Sequence, residues 1–333
     1  MWRKRIAAIV VAACLAPGTF LRSDVPPPDF DAPLSARLLP VEADKTGPLA
    51  FVRAWHLTST NDHFGGYSAL LARADGTLLA GSDAGRLLAI TQGDGKLIGA
   101  FEAFPGAANA DKRDVDLEAM TQDGAGETLW AAYEVSNSIA RHRGIADAGT
   151  RVAPPSMAGW MGNSGPEAMA RLADGRFIVL AEQRSRFGGD SHEGLLFPSD
   201  PVDGAKPLVF RLATPDGMRP VDMTAMPDGR VLILLRSFSL FPPSFQVALA
   251  LADPTDIAEG ENWPIELLGR IERPLPPENY EGLALAQRGD GSCSVWLISD
   301  DNFSRFQRTL LLEFSWPECG KGVPQSAARP SSE

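Results

Sequence analysis

The chain has 333 residues, of which 44% are hydrophobic and 22% are charged, so it can bury a sizeable core and is neither disordered nor fibrous. The formal net charge of −11 argues against a nucleic-acid or anionic-membrane partner. With only four His and three Cys, a zinc site of the His/Cys type is not expected. The 32 glycines and 27 prolines indicate many turns, and therefore many short strands.

The first 23 residues have the anatomy of a signal peptide. A basic segment, residues 1–5, precedes an apolar run from Ile6 to Ala16, which is too short to span a membrane. The tetrapeptide Val11-Ala12-Ala13-Cys14 is similar to a lipobox, in which Cys14 would carry a lipid anchor. Cleavage before Val25 is the alternative. We therefore expect a periplasmic or secreted protein without a transmembrane span.

One pattern recurs five times along the rest of the chain. Each copy has a small or acidic lead residue, a short apolar segment, an Asp-Gly pair and an apolar run that ends in a polar or charged residue. The lead residues are Ser68, Glu118, Glu167, Asp222 and Glu281, at spacings of 50, 49, 55 and 59 residues. The residues that end the runs are Asp83, Glu134, Glu182, Arg236 and Asp300. Asp-Gly between two apolar segments is a strong hairpin signal.

The repeats predict an all-β fold, a β-propeller of five or six four-stranded blades over residues 45–317. A pair of β-sandwiches is the alternative, but it would not need five equivalent copies. The runs Leu49–Leu57 and Thr309–Trp316 are expected to share one sheet that closes the ring. Residues 24–44 are predicted to be a linker and residues 318–333 a flexible tail.

Two cysteines remain once Cys14 is removed or lipidated. Cys293 and Cys319 flank the last two strand-like runs, and an even pair in an oxidising compartment predicts a disulfide that closes this hairpin. Two independent buried thiols are the alternative.

The lead residues predict a site on the propeller axis. If they lie on the innermost strands, their side chains converge at one mouth of the channel, where close carboxylates need a cation or shared protons. Oxygen ligands without His or Cys favour Ca²⁺, which would be bound by Glu118, Glu167, Asp222 and Glu281. The alternative is that these carboxylates are unrelated, solvated caps of turns and strands.

The chemistry expected at such a mouth is ester hydrolysis. Asp83 or Asp300 would act as the general base, and Arg184 or Arg236 would stabilise developing negative charge. For each arginine, a salt bridge to a neighbouring carboxylate is the alternative.

Several segments resemble a known family. The C-terminal segments Asn279–Ala284, Leu297–Ser304 and Gln307–Leu311, together with the earlier Ser82–Arg86 and Gly165–Ala168, resemble the phytase-like family described by an esterase-like activity of phytase. The resemblance runs from about residue 50 to 316. It implies an exported propeller-like domain rich in Glu and Asp, and it suggests phosphoester hydrolysis.

Two hypotheses follow from the sequence. The first is an exported, metal-assisted hydrolase of phosphate or carboxylate esters, acting as a monomer on a small anionic substrate. The second is a non-catalytic propeller that binds a ligand or partner protein and uses its acidic ring as a structural calcium site. An open metal position would favour the enzyme, and a plugged channel would favour the binding protein.

Overall fold

The five copies of the repeat fold into five β-sheets that surround a common axis. The structure is a computed structural model, which describes residues 27–93, 95–104, 112–145, 147–162, 164–184 and 191–319. The predicted signal peptide and Cys14 lie outside these residues. Neighbouring innermost strands contact each other all the way round, from the first blade to the fifth and back to the first. The fold is a five-bladed β-propeller, as the repeats predict.

Blades 1 and 2 each have four antiparallel strands. In blade 1, from the axis outwards, these are β4 (Tyr67–Ala72), β5 (Leu78–Ser82), β6 (Arg86–Gly93) and β7 (Lys96–Ala103). A short helix, α1 (Lys112–Val115), leads into the second blade. Blade 2 consists of β8 (Leu117–Gln122), β9 (Thr128–Tyr133), β10 (Ser138–Arg143) and β11 (Thr150–Val152).

A connection within blade 4 adds a fifth strand to the outer edge of blade 3. Blade 3 consists of β12 (Pro166–Arg171), β13 (Phe177–Arg184), β14 (Ser191–Phe197), β15 (Leu208–Ala213) and the later β19 (Asn262–Trp263). Blade 4 consists of β16 (Arg219–Ala225), β17 (Val231–Leu240), β18 (Pro243–Ala252) and β20 (Glu266–Ile271). Strand β19 pairs in parallel with β15, so blade 3 has five strands rather than the predicted four.

Blade 5 closes the ring with strands from both ends of the described chain. It consists of β21 (Tyr280–Gln287), β22 (Cys293–Ser299), β23 (Leu310–Trp316), β3 (Leu49–Ser59) and β1 (Leu34–Leu38), with β2 (Lys45–Thr46) paired to β3. Strand β23 pairs with β3 in antiparallel register, for example Leu312 with Ala54. This pairing confirms the predicted closing sheet.

The predicted linker needs a correction. Residues 34–38 are strand β1, which pairs with β3, and Lys45–Thr46 pairs with β3 as well. The physical reason is that Leu34 packs closely against Gly99 of blade 1. A Cβ atom added to Gly99 would lie only 2.6 Å from the Cβ atom of Leu34. The segment before the closing strand is therefore part of the sheet.

The core lies between the blades. Leu234 and Leu249 of blade 4 belong to one buried cluster with Leu297 and Leu312 of blade 5. Such shared clusters bury both faces of each sheet, which no blade could do alone.

The predicted disulfide is present. Cys293 at the start of β22 is bonded to Cys319 just after β23, with 5.9 Å between the two Cα atoms. Cys319 belongs to the predicted tail, residues 318–333, but the disulfide attaches it to blade 5. The rest of that tail, residues 320–333, lies outside the described ranges. Within the described ranges, no helix has the length and apolar character needed to cross a membrane.

Candidate active site

Every innermost strand carries a β-bulge near its start. The pairing register shifts around one residue in each blade, and these residues are Ser68, Glu118, Glu167, Val221 and Glu281. A bulge inserts one extra residue and turns its side chain away from the regular alternation of the strand. Four of the five lead residues identified in the sequence thus occupy structurally equivalent positions.

Asp222 is the exception. In blade 4 the extra residue is Val221, and Asp222 pairs with Leu234 as part of the regular ladder. Its carboxylate is 1% exposed and accepts hydrogen bonds from the backbone N–H groups of Met223 at 2.8 Å and Leu283 at 2.6 Å. Burial raises the pKa of Asp222, and these backbone hydrogen bonds oppose that rise. Our alignment of the fourth copy was wrong by one residue because an acidic side chain follows the bulge there.

A second regularity brings two more positions to the same mouth. In four blades, a backbone N–H at the end of the blade's second strand donates a hydrogen bond to the carbonyl oxygen two residues before the bulge. These hydrogen bonds run from Asp83 to Gly66, from Glu134 to Asp116, from Glu182 to Gly165 and from Asp300 to Asn279. In blade 4 the corresponding residues, Arg236 and Arg219, are ladder partners. Each blade therefore presents three residues to one end of the axis.

Glu118 and Glu167 are surrounded by other carboxylates. Burial, followed by repulsion from Glu281 and Glu134, raises the pKa of Glu118 well above its usual range. Burial and repulsion from Glu118 and Glu182 do the same to the pKa of Glu167, which is 8% exposed. Carboxylates that repel one another in this way lie close together.

Three carboxylates form a tight group on one side of the mouth. Asp116, Glu118 and Glu134 each offer an oxygen, and these oxygens all lie within 4.8 Å of one another. The sequence analysis missed Asp116, because only blade 2 has an acidic residue two positions before the bulge. Extending the alignment of the repeats two residues upstream would have placed it at the mouth.

Glu134 links this group to blade 3. Its side chain is hydrogen-bonded to that of Glu167, an arrangement that requires a proton between the two carboxyl groups. Burial raises the pKa of Glu134 to about 7, although the hydrogen bond from Glu167 opposes the rise. The two side chains therefore affect each other's protonation.

Arg236 neutralises the opposite side of the mouth. Its guanidinium lies 2.5 Å from Glu281 and 3.3 Å from Glu182, and it also donates to Asn279. Burial alone would lower the pKa of Arg236, but Glu281 and Glu182 outweigh burial and raise it. Arg236 thus forms salt bridges with neighbouring carboxylates, which is the alternative given for it in the sequence analysis. A second arginine, Arg219, lies 2.9 Å from Glu182.

The remaining predicted residues also reach this face. Asp300 is 5% exposed, accepts from the N–H of Asn302 at 2.7 Å, and has its pKa raised by burial and by Glu281. Asp83 lies at the equivalent position of blade 1, with its N–H bound to Gly66. Arg184 ends β13, but its side chain lies outside what the structure describes.

The donor set fits a hard cation. The grouped atoms are carboxylate oxygens, and burial and neighbouring carboxylates raise the pKa of Glu118, Glu134 and Glu167. A divalent cation bound by oxygens alone would offset this repulsion. Glu281, held by Arg236, and Asp222, held by backbone amides, are less suited to be ligands than the sequence suggested.

A protein-family model matches most of the chain. The family model "Phytase-like: Esterase-like activity of phytase" matches residues 62–303. The chain belongs to this family. The match confirms the resemblance seen in the sequence and covers all five innermost strands. No curated protein matches the phytase-like chain.

Solved structures similar to this phytase-like chain are distant. A gluconolactonase from Xanthomonas campestris has 13% identity and a TM-score of 0.47, with 87% of this chain and 99% of that chain covered. The calcium-binding protein regucalcin from Agrobacterium tumefaciens has 15% identity and a TM-score of 0.44, with coverages of 86% and 95%. A Trichoderma reesei carbohydrate-active enzyme of family AA12 has 12% identity and a TM-score of 0.45, with coverages of 87% and 99%.

Proposed function

We propose that this protein is an exported hydrolase that cleaves phosphate or carboxylate esters at the acidic mouth of the propeller. The observation that carries the proposal is the division of the mouth into two sides. Asp116, Glu118 and Glu134 form an oxygen cluster suited to a cation, and Arg236 lies among the carboxylates of the other side. A cation and an arginine on opposite sides would together bind an anionic ester group.

Ca²⁺ is the proposed metal, with Asp116, Glu118 and Glu134 as its ligands and Glu167 adjacent. When bound, it would polarise the ester and lower the pKa of a bound water. Of the ligands expected from the sequence, this proposal retains Glu118. It adds Asp116 and Glu134, which the fold brings close to Glu118.

Two other carboxyl groups at the mouth carry out the proton transfers, one as the base and the other as the acid. Asp83 accepts the proton of the attacking water as its oxygen bonds to the phosphorus or acyl carbon. Asp300, whose pKa is raised by burial and by Glu281, donates a proton to the leaving alcohol oxygen. Arg236 donates hydrogen bonds to the anionic oxygen of the ester, and Arg184 is kept as a candidate for the same role.

Export to the periplasm or outside the cell is part of the proposal. The basic segment and apolar run at residues 1–16 support it, and so does the disulfide between Cys293 and Cys319, because such bonds persist in oxidising compartments. Lipidation of Cys14 and cleavage before Val25 both remain open, and a monomer remains a prediction.

Calcium binding tests the metal site directly. Titration calorimetry on chelator-treated protein is expected to give micromolar binding that Glu118→Gln abolishes. Glu127→Gln is the matched control, since Glu127 is exposed at the opposite end of the same blade. Absence of binding heat and of thermal stabilisation by Ca²⁺ in the wild-type protein would remove the metal from the proposal.

Hydrolysis of phosphate and carboxylate esters in the presence of Ca²⁺ then tests the activity. We expect Asp83→Asn to lower kcat by on the order of 100-fold, a typical loss for removal of a general base. Calcium binding without any ester hydrolysis would favour the non-catalytic propeller with a structural metal. The pairing of Arg236 with Glu182 and Glu281 is the observation that supports that second function.

A further inference from the structure

An exposed aromatic ring stands at the edge of the acidic mouth. A Cβ placed on Gly66 would lie 2.4 Å from Asp83 Oδ1 and 2.6 Å from the ring of Phe303. The carboxylate of blade 1 and the ring of blade 5 are therefore no more than about 5 Å apart. Phe303 is 48% exposed, so this ring lies beside Asp83 without being part of the core.

The backbone holds Phe303 in this place by an unfavourable conformation. Asn302 and Phe303 have φ values of 50° and 49°, in the left-handed region that residues with a side chain rarely adopt. The cost is offset by Asp300, which accepts from the N–H of Asn302, and by Asp301, which accepts from the N–H of Phe303 at 3.0 Å. Such strain persists where the surroundings enforce it, often at functional sites.

Gly66 makes room for the ring. Its φ of 67° and the close approach of Asp83 and Phe303 leave no space for a side chain. The N–H of Gly66 donates to Asp301 at 3.2 Å, which fixes the loop of blade 5 against blade 1. The position of the ring is thus built by both blades.

More apolar side chains are exposed at the same end of the axis. Strand β17 runs four residues beyond Arg236 and pairs with β18 up to Leu240 and Pro243, a ladder roughly 13 Å longer at this end. The exposed apolar residues of this hairpin and of the blade 5 loop are Phe238, Leu240, Phe241 and Phe306, with exposures of 54%, 62%, 86% and 98%. The corresponding connections of blades 1 and 2, residues 83–85 and 134–137, are short and contain no aromatic residue.

We propose that the ester cleaved at this mouth is amphiphilic, and that Phe303 binds its apolar part beside Asp83 while the polar group lies among the carboxylates and Arg236. This substrate class rests on the proposed function. A small, wholly polar phosphate ester would leave the ring in contact with water, whereas an alkyl or aryl chain would cover it and continue toward the hairpin of blade 4.

Binding of non-hydrolysable probes tests the inference without requiring turnover. Octylphosphonate and ethylphosphonate are titrated into the calcium-loaded protein, below the concentration at which the octyl compound forms micelles. We expect octylphosphonate to bind about tenfold tighter or more, and Phe303→Ala to remove most of that preference while leaving ethylphosphonate unchanged. Phe303→Leu should retain part of the preference.

Phe30→Ala is the matched control, because Phe30 is 41% exposed but precedes β1, the outermost strand of blade 5. Equal affinity for the two probes, a preference that survives Phe303→Ala, or no binding of either probe would overturn the inference.

Turnover separates the inference from the proposed function. Release of alcohol is compared for ethyl and octyl phosphate and for ethyl and octyl acetate. Hydrolysis that does not depend on chain length or on Phe303 would overturn the inference and leave the proposed function standing. Preferential binding of octylphosphonate that depends on Phe303, without hydrolysis of any ester, would overturn the proposed function and leave the amphiphilic ligand class standing.

Discussion

Asp222 is an acidic residue at the axis whose role differs from that of its neighbours. Its carboxylate accepts backbone hydrogen bonds from its own strand and from Leu283 of blade 5, and the amide of Leu70 in blade 1 contributes as well. It therefore joins three blades from the centre of the ring. The sequence could identify the acidic character of this position but not the one-residue shift of the bulge, which depends on pairing with β17.

Replacing Asp222 by Asn tests this role. Asn keeps the size but has one acceptor oxygen and an NH₂ group that opposes a backbone N–H, so we expect a loss of about 1–3 kcal/mol in the free energy of unfolding. Urea denaturation monitored by circular dichroism measures it. Glu266→Gln, an exposed change in β20 of the same blade, should have little effect. A variant as stable as the wild type would contradict the structural role of Asp222.

The carboxyl group of Glu134 predicts a pH dependence of the stability. The pKa of Glu134 is raised to about 7, above its value in the unfolded chain. The unfolded chain therefore loses the proton of Glu134 at lower pH than the folded protein, and the metal-free protein should lose stability as pH rises through about 7.

Denaturation midpoints measured with chelator at about pH 5 and about pH 8 check this slope. We expect the Glu134→Gln variant to have a flatter profile, since one of the carboxyl groups that titrate with a raised pKa is gone. Added Ca²⁺ should restore stability at the higher pH by favouring the ionised carboxylates. Two results would contradict the raised pKa of Glu134. The first is a wild-type stability that rises with pH in the presence of chelator, and the second is a Glu134→Gln profile with the same slope as that of the wild type.

The strands themselves were largely predictable from the sequence. Asp-Gly pairs between apolar runs specify hairpins through local turn geometry, so the innermost two strands of every blade were found. The outer strands were harder, because β11 and β19 are only three and two residues long and carry little periodic signal. Strand β1 was missed for a related reason, since its pattern is mostly exposed and its pairing partner is supplied by the closing sheet.

The disulfide stabilises the last two strands of the chain. The bond joins residues separated by 26 positions, and removing a bond that closes such a loop costs about 2–4 kcal/mol. We expect the double variant Cys293→Ser/Cys319→Ser to have a lower melting temperature than the wild type. Addition of reductant should lower the wild-type melting temperature toward that of the double variant and leave the variant itself unchanged. A double variant with the same melting temperature as the wild type would show that the disulfide does not stabilise the protein.

The ring predicts cooperative unfolding of the whole molecule. Each hydrophobic cluster is shared between neighbouring blades, as for Trp130 of blade 2 and Phe177 of blade 3, whose rings are 5.0 Å apart. Loss of one blade therefore exposes the cores of two others. Urea denaturation curves from tryptophan fluorescence and from far-ultraviolet circular dichroism should coincide with a single midpoint. Two separated transitions would show that blades unfold independently.

Blade 5 also determines when the molecule can fold. Its sheet needs β3, which is made early, and β21–β23, which are made last. A nascent chain emerging from a ribosome or a translocation channel must therefore keep the edge of β3 unpaired until the final strands arrive, although its alternating residues make it a template for pairing with other chains. Vectorial folding from the first blade onward cannot complete this protein, and its yield should depend on how long a holding chaperone protects that edge.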